Sequence, residues 1–213
     1  MDSVDMQGLL EIFKYYKHLD GTTGLILDLR GNGGGYNLDR SILFSDLVGK
    51  DHQFAWYRSK AGGDNRLDYG PWLPVYIHPY TSTGAETGYT VSTLASKPMV
   101  ALTNIGSVSN SEMTTLFVRS FPKGVSIGGK TWGGEGALSG NNTEGNAGEF
   151  TVGKYITSVY TPYIQTKALD GTFYEGKGIP PTTVIPFNST LFDAGTDDRL
   201  KEAFSYVKNN QNT

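Results

Sequence analysis

Residues 105–117, IGSVSNSEMTTLF, bring three serines and a glutamate together between an apolar run and the start of a helical pattern. A serine at a strand-to-helix turn is held exposed and close to the N–H groups of the helix start. That is what a nucleophile needs when its intermediate carries an oxyanion. Capping is the plainer use of the same residues: Ser109 and Glu112 have capping-box spacing, and G-x-S-x-G is not met. On this turn alone capping is the stronger reading. A second turn, LDLRGNGGGY at 27–36, also follows an apolar stretch. One or two glycines suit a tight turn, but the run Gly33–Gly35 calls for backbone that approaches something closely. N–H groups in such a loop bind a phosphate or line an oxyanion hole. Neither G-x-x-x-x-G-K-[ST] nor G-x-G-x-x-G fits this loop.

The elements that must hold these turns alternate. Residues 6–18 carry Leu9, Leu10, Ile12, Phe13 and Tyr16 on one helical face. GLILDLR, 24–30, reads as a short strand, and 37–50 as a helix with Asn37 at its N-cap and Gly49 beyond its end. HQFAWYR and PVYIHPY read as strands, with 60–71 a connecting loop. KPMVALTN, 97–104, reads as a buried strand, 111–120 as a helix and GVSIGGKT, 124–131, as a third strand of that kind. Residues 132–149 are rich in Gly and Asn and too long for a mere connector, so a loop or flap is expected. Residues 150–165 alternate like a strand, and 195–209 reads as a helix with Thr196 as N-cap.

Composition narrows the chemistry. The 213 residues carry a formal net charge of −3 without a basic block, which leaves nucleic acid no electrostatic footprint. Cysteine is absent, so disulfides, thiolate catalysis and cysteine metal sites are excluded. His18, His52 and His78 lack zinc-site spacing. No apolar run approaches the roughly 20 residues of a membrane helix, and residues 1–13 have no signal-peptide pattern. The chain starts almost directly on a helix, and the expectation is one domain over 1–213, cut from a longer protein.

GLILDLRGNGGG, KPMVALTNIGSVSNSE, VSIGGKTWGG and GKGIPPTTVIP, in that order, resemble the C-terminal processing (tail-specific) serine peptidases. Their relatives include the tricorn protease core and the retinoid-binding repeats of an eye protein. The resemblance runs from about residue 6 to the end. It implies a crotonase-like or ClpP-like α/β core of stacked ββα/βαβ units with additional strands. It implies Ser109 as nucleophile, flanked by Ser107 and Ser111. The implied oxyanion donors are the N–H of Asn110 and a glycine of the first loop, most simply Gly34. Asp28, Arg30 and Asn32 become supports of that loop.

A serine hydroxyl needs a base. The processing peptidases that this chain resembles use a Lys oriented by a Gln, but Gly134 and Leu138 stand at those positions, and Lys130 falls before the Thr. The T-W-G-G wording is similar to the tricorn branch, which uses a His from an upstream segment and a Glu before the G-V-x-P turn. Glu175 holds that Glu position, none of the three histidines holds the His position, and Pro181 replaces the motif's Asp. The expectation is therefore a peptidase core acting on a protein or peptide through Ser109 and Glu175, its base supplied from outside this chain. Such chemistry needs no cofactor or metal, and the resemblance implies a periplasmic, cell-envelope or secreted full-length protein. The retinoid-binding relatives imply an alternative, a non-catalytic ligand- or peptide-binding module, with Trp56, Trp72 and Trp132 as cleft residues. An acyl-CoA enzyme of crotonase type fits the glycines but gives the serines no role. A homo-oligomer is left open.

Overall fold

A computed structural model describes residues 22–35, 44–45, 47–61, 67–79, 93–136, 148–154 and 156–211. The strands are β1 (Leu25–Asp28), β2 (His52–Ser59), β3 (Leu73–Ile77) and β4 (Met99–Thr103). Helix α1 (Asn110–Arg119) follows, then β5 (Gly124–Gly128), β6 (Gly148–Val152), β7 (Ile156–Thr161), β8 (Ile164–Ala168) and β9 (Thr183–Val184). A short α2 (Ser189–Asp193) and α3 (Asp198–Asn209) complete the described elements.

β4 explains the architecture. All five of its residues are buried, as a strand covered on both faces should be. Successive side chains alternate across the sheet. Met99 and Ala101 therefore join Met113, Leu116 and Phe117 of α1 in one core. Val100 and Leu102 join Ile127 of β5 and Ala203 and Val207 of α3 in another. The sheet, ordered β1-β4-β5-β9, is parallel throughout. β4, α1 and β5 form a βαβ unit whose helix must start where β4 ends. A second, antiparallel sheet, β3-β2-β8, packs beside α1 through Phe54, which meets Phe117 edge-on at 5.6 Å. Phe44 stacks on the same ring at 4.7 Å. Truncating Phe117 to Ala would cost about 3–5 kcal/mol.

Several sequence expectations change here. Residues 150–165 are not one strand: β6 and β7 form an antiparallel hairpin, and β8 pairs with β2 instead. The cap of α3 is Asp197, whose carboxylate accepts from the Leu200 N–H, while the Thr196 N–H is drawn back to the Leu191 carbonyl at 2.8 Å. The expected helix at 6–18, the start of the helix at 37–50 and residues 137–147 of the expected flap lie outside the described residues. Within 37–50, Phe44 and Ser45 are helical, and Phe44, Leu47 and Val48 are buried.

Candidate active site

The two glycine-rich turns meet. Both leave the C-terminal ends of adjacent parallel strands, β1 and β4, which is where open α/β sheets gather their sites. Asn32 ties them together: its carbonyl accepts from the Val108 N–H at 3.0 Å, and its Oδ1 accepts from Ser111 Oγ at 2.6 Å. Asn104 does the same from the other side, its Oδ1 accepting from the N–H groups of Gly31 and Gly106, each at 2.9 Å. Gly34 lies against the serine turn. A Cβ on Gly34 would stand 2.8 Å from Ser109 Cβ and 3.0 Å from the Asn110 nitrogen, and its φ is +101°. The close approach that the glycine run called for is thus an approach to Ser109.

The three serines separate cleanly. Ser107 is fully buried, its hydroxyl donating to the Leu29 carbonyl. Ser111 is 3 % exposed and held by Asn32. Ser109 is partly exposed and has a φ of 57° and a ψ of −118°. Among the described residues it is the one non-glycine with positive φ. Such a backbone costs about 1–3 kcal/mol and persists where its surroundings hold it in place. Here they do. Ser109 sits at the N-cap of α1, with the Asn110 N–H and the positive end of the helix beside it.

Glu112 is the residue that does the holding. It is fully buried, and its carboxylate collects four donors. Oε2 accepts from the Ser109 N–H at 3.1 Å and the Gly134 N–H at 2.8 Å. Oε1 accepts from Thr131 Oγ1 at 2.5 Å and the Gly133 N–H at 2.7 Å. Capping-box spacing anticipated the first bond, but not the other three, which join α1 to the TWGG segment. Glu175 holds the far end of that segment, its Oε2 accepting from the N–H groups of Glu135 and Gly136 at 2.8 and 2.7 Å. The turn after Glu175 is fully seated despite Pro181: Ile179 is buried, and its N–H donates to Thr131 Oγ1 at 2.7 Å. Glu135 itself is 3 % exposed and was not singled out in the sequence, where no spacing rule marks a lone Glu among glycines.

Asp28, Arg30 and Asn32 all make contacts around the glycine loop, and one of them involves Gly34. Arg30 forks onto Asp28 through Nε and Nη2, at 2.8 and 2.6 Å, and reaches Asp197 at 2.7 Å through Nη1. The Arg30 hydrogen bond holds the Asp28 carboxyl below its usual range. The arginine therefore couples the glycine loop to the cap of α3. The Gly34 N–H donates to Asn32 Oδ1 at 2.9 Å and so is engaged within its own loop.

The candidate bases do not come to Ser109. His52 bonds Ser120 Oγ at 2.7 Å, at the opposite end of α1. The helix rise puts that end about 16 Å away. His78 pairs with Asp51, beside His52, at 2.8 Å. Lys130 is exposed, while its neighbour Thr131 turns inward to Glu112. His18 lies outside the described residues. Among the described residues no cluster of three or more metal-ligating groups occurs, and no helix is long and apolar enough to cross a membrane.

Known proteins share this fold. The sequence profile of peptidase family S41 matches residues 2–185. The tricorn protease of Thermoplasma volcanium is 23% identical over 202 residues, 95% of this chain and 16% of that protein. A Parabacteroides merdae protein taken to be a peptidase superposes with a TM-score of 0.71 at 22% identity, over 94% of this chain and 56% of the other. The photosystem II D1 C-terminal processing protease superposes with a TM-score of 0.55 at 15% identity, over 86% of this chain and 40% of the other. The chain thus spans between about a sixth and just over half of the length of these relatives. The α/β core expected from the motifs is the fold of these peptidases.

Proposed function

The chain belongs to peptidase family S41, and we propose that it is a serine peptidase core that cleaves peptide bonds through an acyl-enzyme on Ser109. One observation carries the reading: Ser109 combines a positive φ, partial exposure and a helix N-terminus with the Gly34 backbone pressed against it. In the reaction Ser109 Oγ attacks the scissile carbonyl carbon and its proton passes to the base. The base then gives that proton to the leaving amine as the C–N bond breaks, and water hydrolyses the ester by the same route. The oxyanion is met by the Asn110 N–H and the Gly34 loop; one such donor is worth roughly a hundredfold or more in rate. The Gly34 N–H joins only by exchanging Asn32 Oδ1 for the oxyanion.

The base comes from outside this chain, a reading supported by the distance of His52 and His78 from Ser109 and the solvent-facing Lys130. Glu175 orients that base, and the same carboxylate fixes the loop beside Ser109 through the Glu135 and Gly136 N–H groups. The substrate is a protein or peptide, and the full-length protein acts in the periplasm, the cell envelope or outside the cell.

A fluorophosphonate probe on this chain, on a longer form carrying upstream sequence, and on Ser109→Ala in each tests the reading. Labelling of the longer form alone, lost in Ser109→Ala, is the expected result. Labelling of neither would turn the reading to a binding module on the same fold. That alternative draws on the Trp72 ring, with the Arg58 and Lys167 cations 4.7 and 4.1 Å from its centroid, as a ligand platform.

A further inference from the structure

Between Glu112 and Glu175 lies a third carboxyl with a different character. Glu135 is 3 % exposed; its Oε2 accepts one hydrogen bond, from Thr166 Oγ1 of β8 at 2.8 Å, and its Oε1 is buried without a partner. Two like charges face it, Glu112 from α1 and Glu175 from the turn before β9. β8 offers it only the neutral Thr166, since the Lys167 ammonium lies over the Trp72 ring. No cation among the described residues pairs with it. A charged carboxylate so placed would have one donor, two repelling neighbours and no exposure to bulk solvent.

We propose that Glu135 is a positioning residue for Ser109: as an uncharged carboxylic acid it locks the 131–136 loop against β8, and its ionisation loosens that lock. The proposal rests on the reading of Ser109 as nucleophile. The N–H groups of Gly133 and Gly134 bind Glu112, and those of Glu135 and Gly136 bind Glu175. The Gly134 and Ser109 N–H groups share Glu112 Oε2. A loop that leaves β8 therefore takes the Gly133 and Gly134 N–H donors from the carboxylate that fixes the Ser109 backbone.

Burial first, then the two neighbouring carboxylates, pushes the Glu135 carboxyl up to about 7 from an ordinary 4.5, against the Thr166 hydrogen bond. With the loop open the group ionises from the ordinary value, and with it locked only near 7. The lock is therefore strongest below 4.5, weakens with each pH unit between 4.5 and 7, and is level above 7. A tenfold loss per unit over that interval gives about 300-fold in all.

Amide hydrogen exchange of the full chain tests this at Gly133, Gly134, Glu135 and Gly136, after correction for the intrinsic pH dependence of exchange. Protection in the wild type is expected to fall by roughly two orders of magnitude across the interval, and in Glu135→Gln to stay high and flat. A flat wild-type profile, or a Glu135→Gln profile that falls like the wild type, would overturn the proposal. Should Glu135→Gln not fold, the wild-type protein decides by carbon-13 NMR of labelled glutamate: a Glu135 midpoint near 7 supports the lock, and one near 4.5 sinks it. Exchange needs no turnover, so a Ser109 that never labels leaves this test standing. A flat exchange profile with Ser109 labelled removes the lock alone.

Discussion

Helix α1 has a serine at each end, and the two could hardly be treated more differently. At its C-cap, Ser120 has an ordinary φ of −78°, and its hydroxyl lies 2.7 Å from His52 Nε2. At its N-cap, Ser109 has a strained backbone and no histidine among the described residues near it. A Ser–His contact by itself would nominate Ser120. Yet the Ser120 hydroxyl donates its proton to the Phe117 carbonyl at 2.5 Å, so it receives from His52 rather than giving to it. It also sits at the negative end of the helix, where an oxyanion is disfavoured. Ser109 has the opposite field, a glycine loop packed against it and partial exposure to solvent. If Ser109 is the nucleophile, as proposed, the difference teaches that the oxyanion environment rather than a neighbouring imidazole marks it.

The sharpest way to break that contrast is to remove each serine in the longer form that the proposed function calls for. Ser109→Ala should reduce fluorophosphonate labelling to background, and Ser120→Ala should leave it unchanged; the reverse pattern would move the site to the other end of the helix. Next in size is Gly34→Ala. Its Cβ would stand 2.8 Å from Ser109 Cβ and 2.9 Å from the Val108 carbonyl, at a φ of +101°. Labelling should fall at least tenfold while α1 and the sheet keep their circular dichroism, because the clash is with the turn and not with the core. Unchanged labelling would show that the glycine loop is not part of the oxyanion environment.

Glu112→Ala comes third and is read in stability. It would strand the Thr131 hydroxyl and the N–H groups of Ser109, Gly133 and Gly134, one donor on the serine turn and three on the 131–136 loop. Unsatisfied buried donors cost about 1–3 kcal/mol each before relaxation or water entry. A loss of about 3 kcal/mol by urea denaturation is the expected net. Less than about 1 kcal/mol would mean that the loop re-forms its bonds elsewhere.

How far the sequence reached follows from the same contrast. β4 was legible because both its faces are buried, which makes the MVAL stretch of KPMVALTN continuously apolar, and α1 because a strand of that kind must be followed by a crossover. The Ser109 turn was legible through motif order; its positive φ was not, since Ser is not a residue that signals it. A close approach of the glycine loop was implied by three glycines in a row, but the engagement of the Gly34 N–H by Asn32 depends on side-chain direction, which no spacing encodes. Glu112 read as half of a local cap because a capping box lies within four residues, whereas its bonds to Thr131, Gly133 and Gly134 close over about 20 residues of chain. Glu135 had no local signal at all: its burial comes from β8, more than 25 residues further on.

The smallest effect expected lies at the His52 end. His52 stacks flat on Phe121 with centroids 4.2 Å apart, and burial first, then Lys50, lowers its pKa below 6.5. A histidine whose folded value is depressed contributes nothing extra above 6.5, where both states are neutral. As pH falls below 6.5 the unfolded chain takes the proton first, so stability is lost on the acid side down to the folded value. The buried Glu135 works with the opposite sign, its contribution falling as pH rises from 4.5 to 7. The two are separable only by difference. His52→Phe keeps an aromatic ring against Phe121 and leaves Glu135 untouched, so subtracting its urea-derived stability from the wild type between about pH 5 and 8 cancels the glutamate. The difference should change in one direction, the wild type losing ground toward acid. A difference that is flat, or that grows toward alkali, would mean that His52 is not the group that titrates, and the picture of a neutral imidazole donating to Ser120 would fall with it.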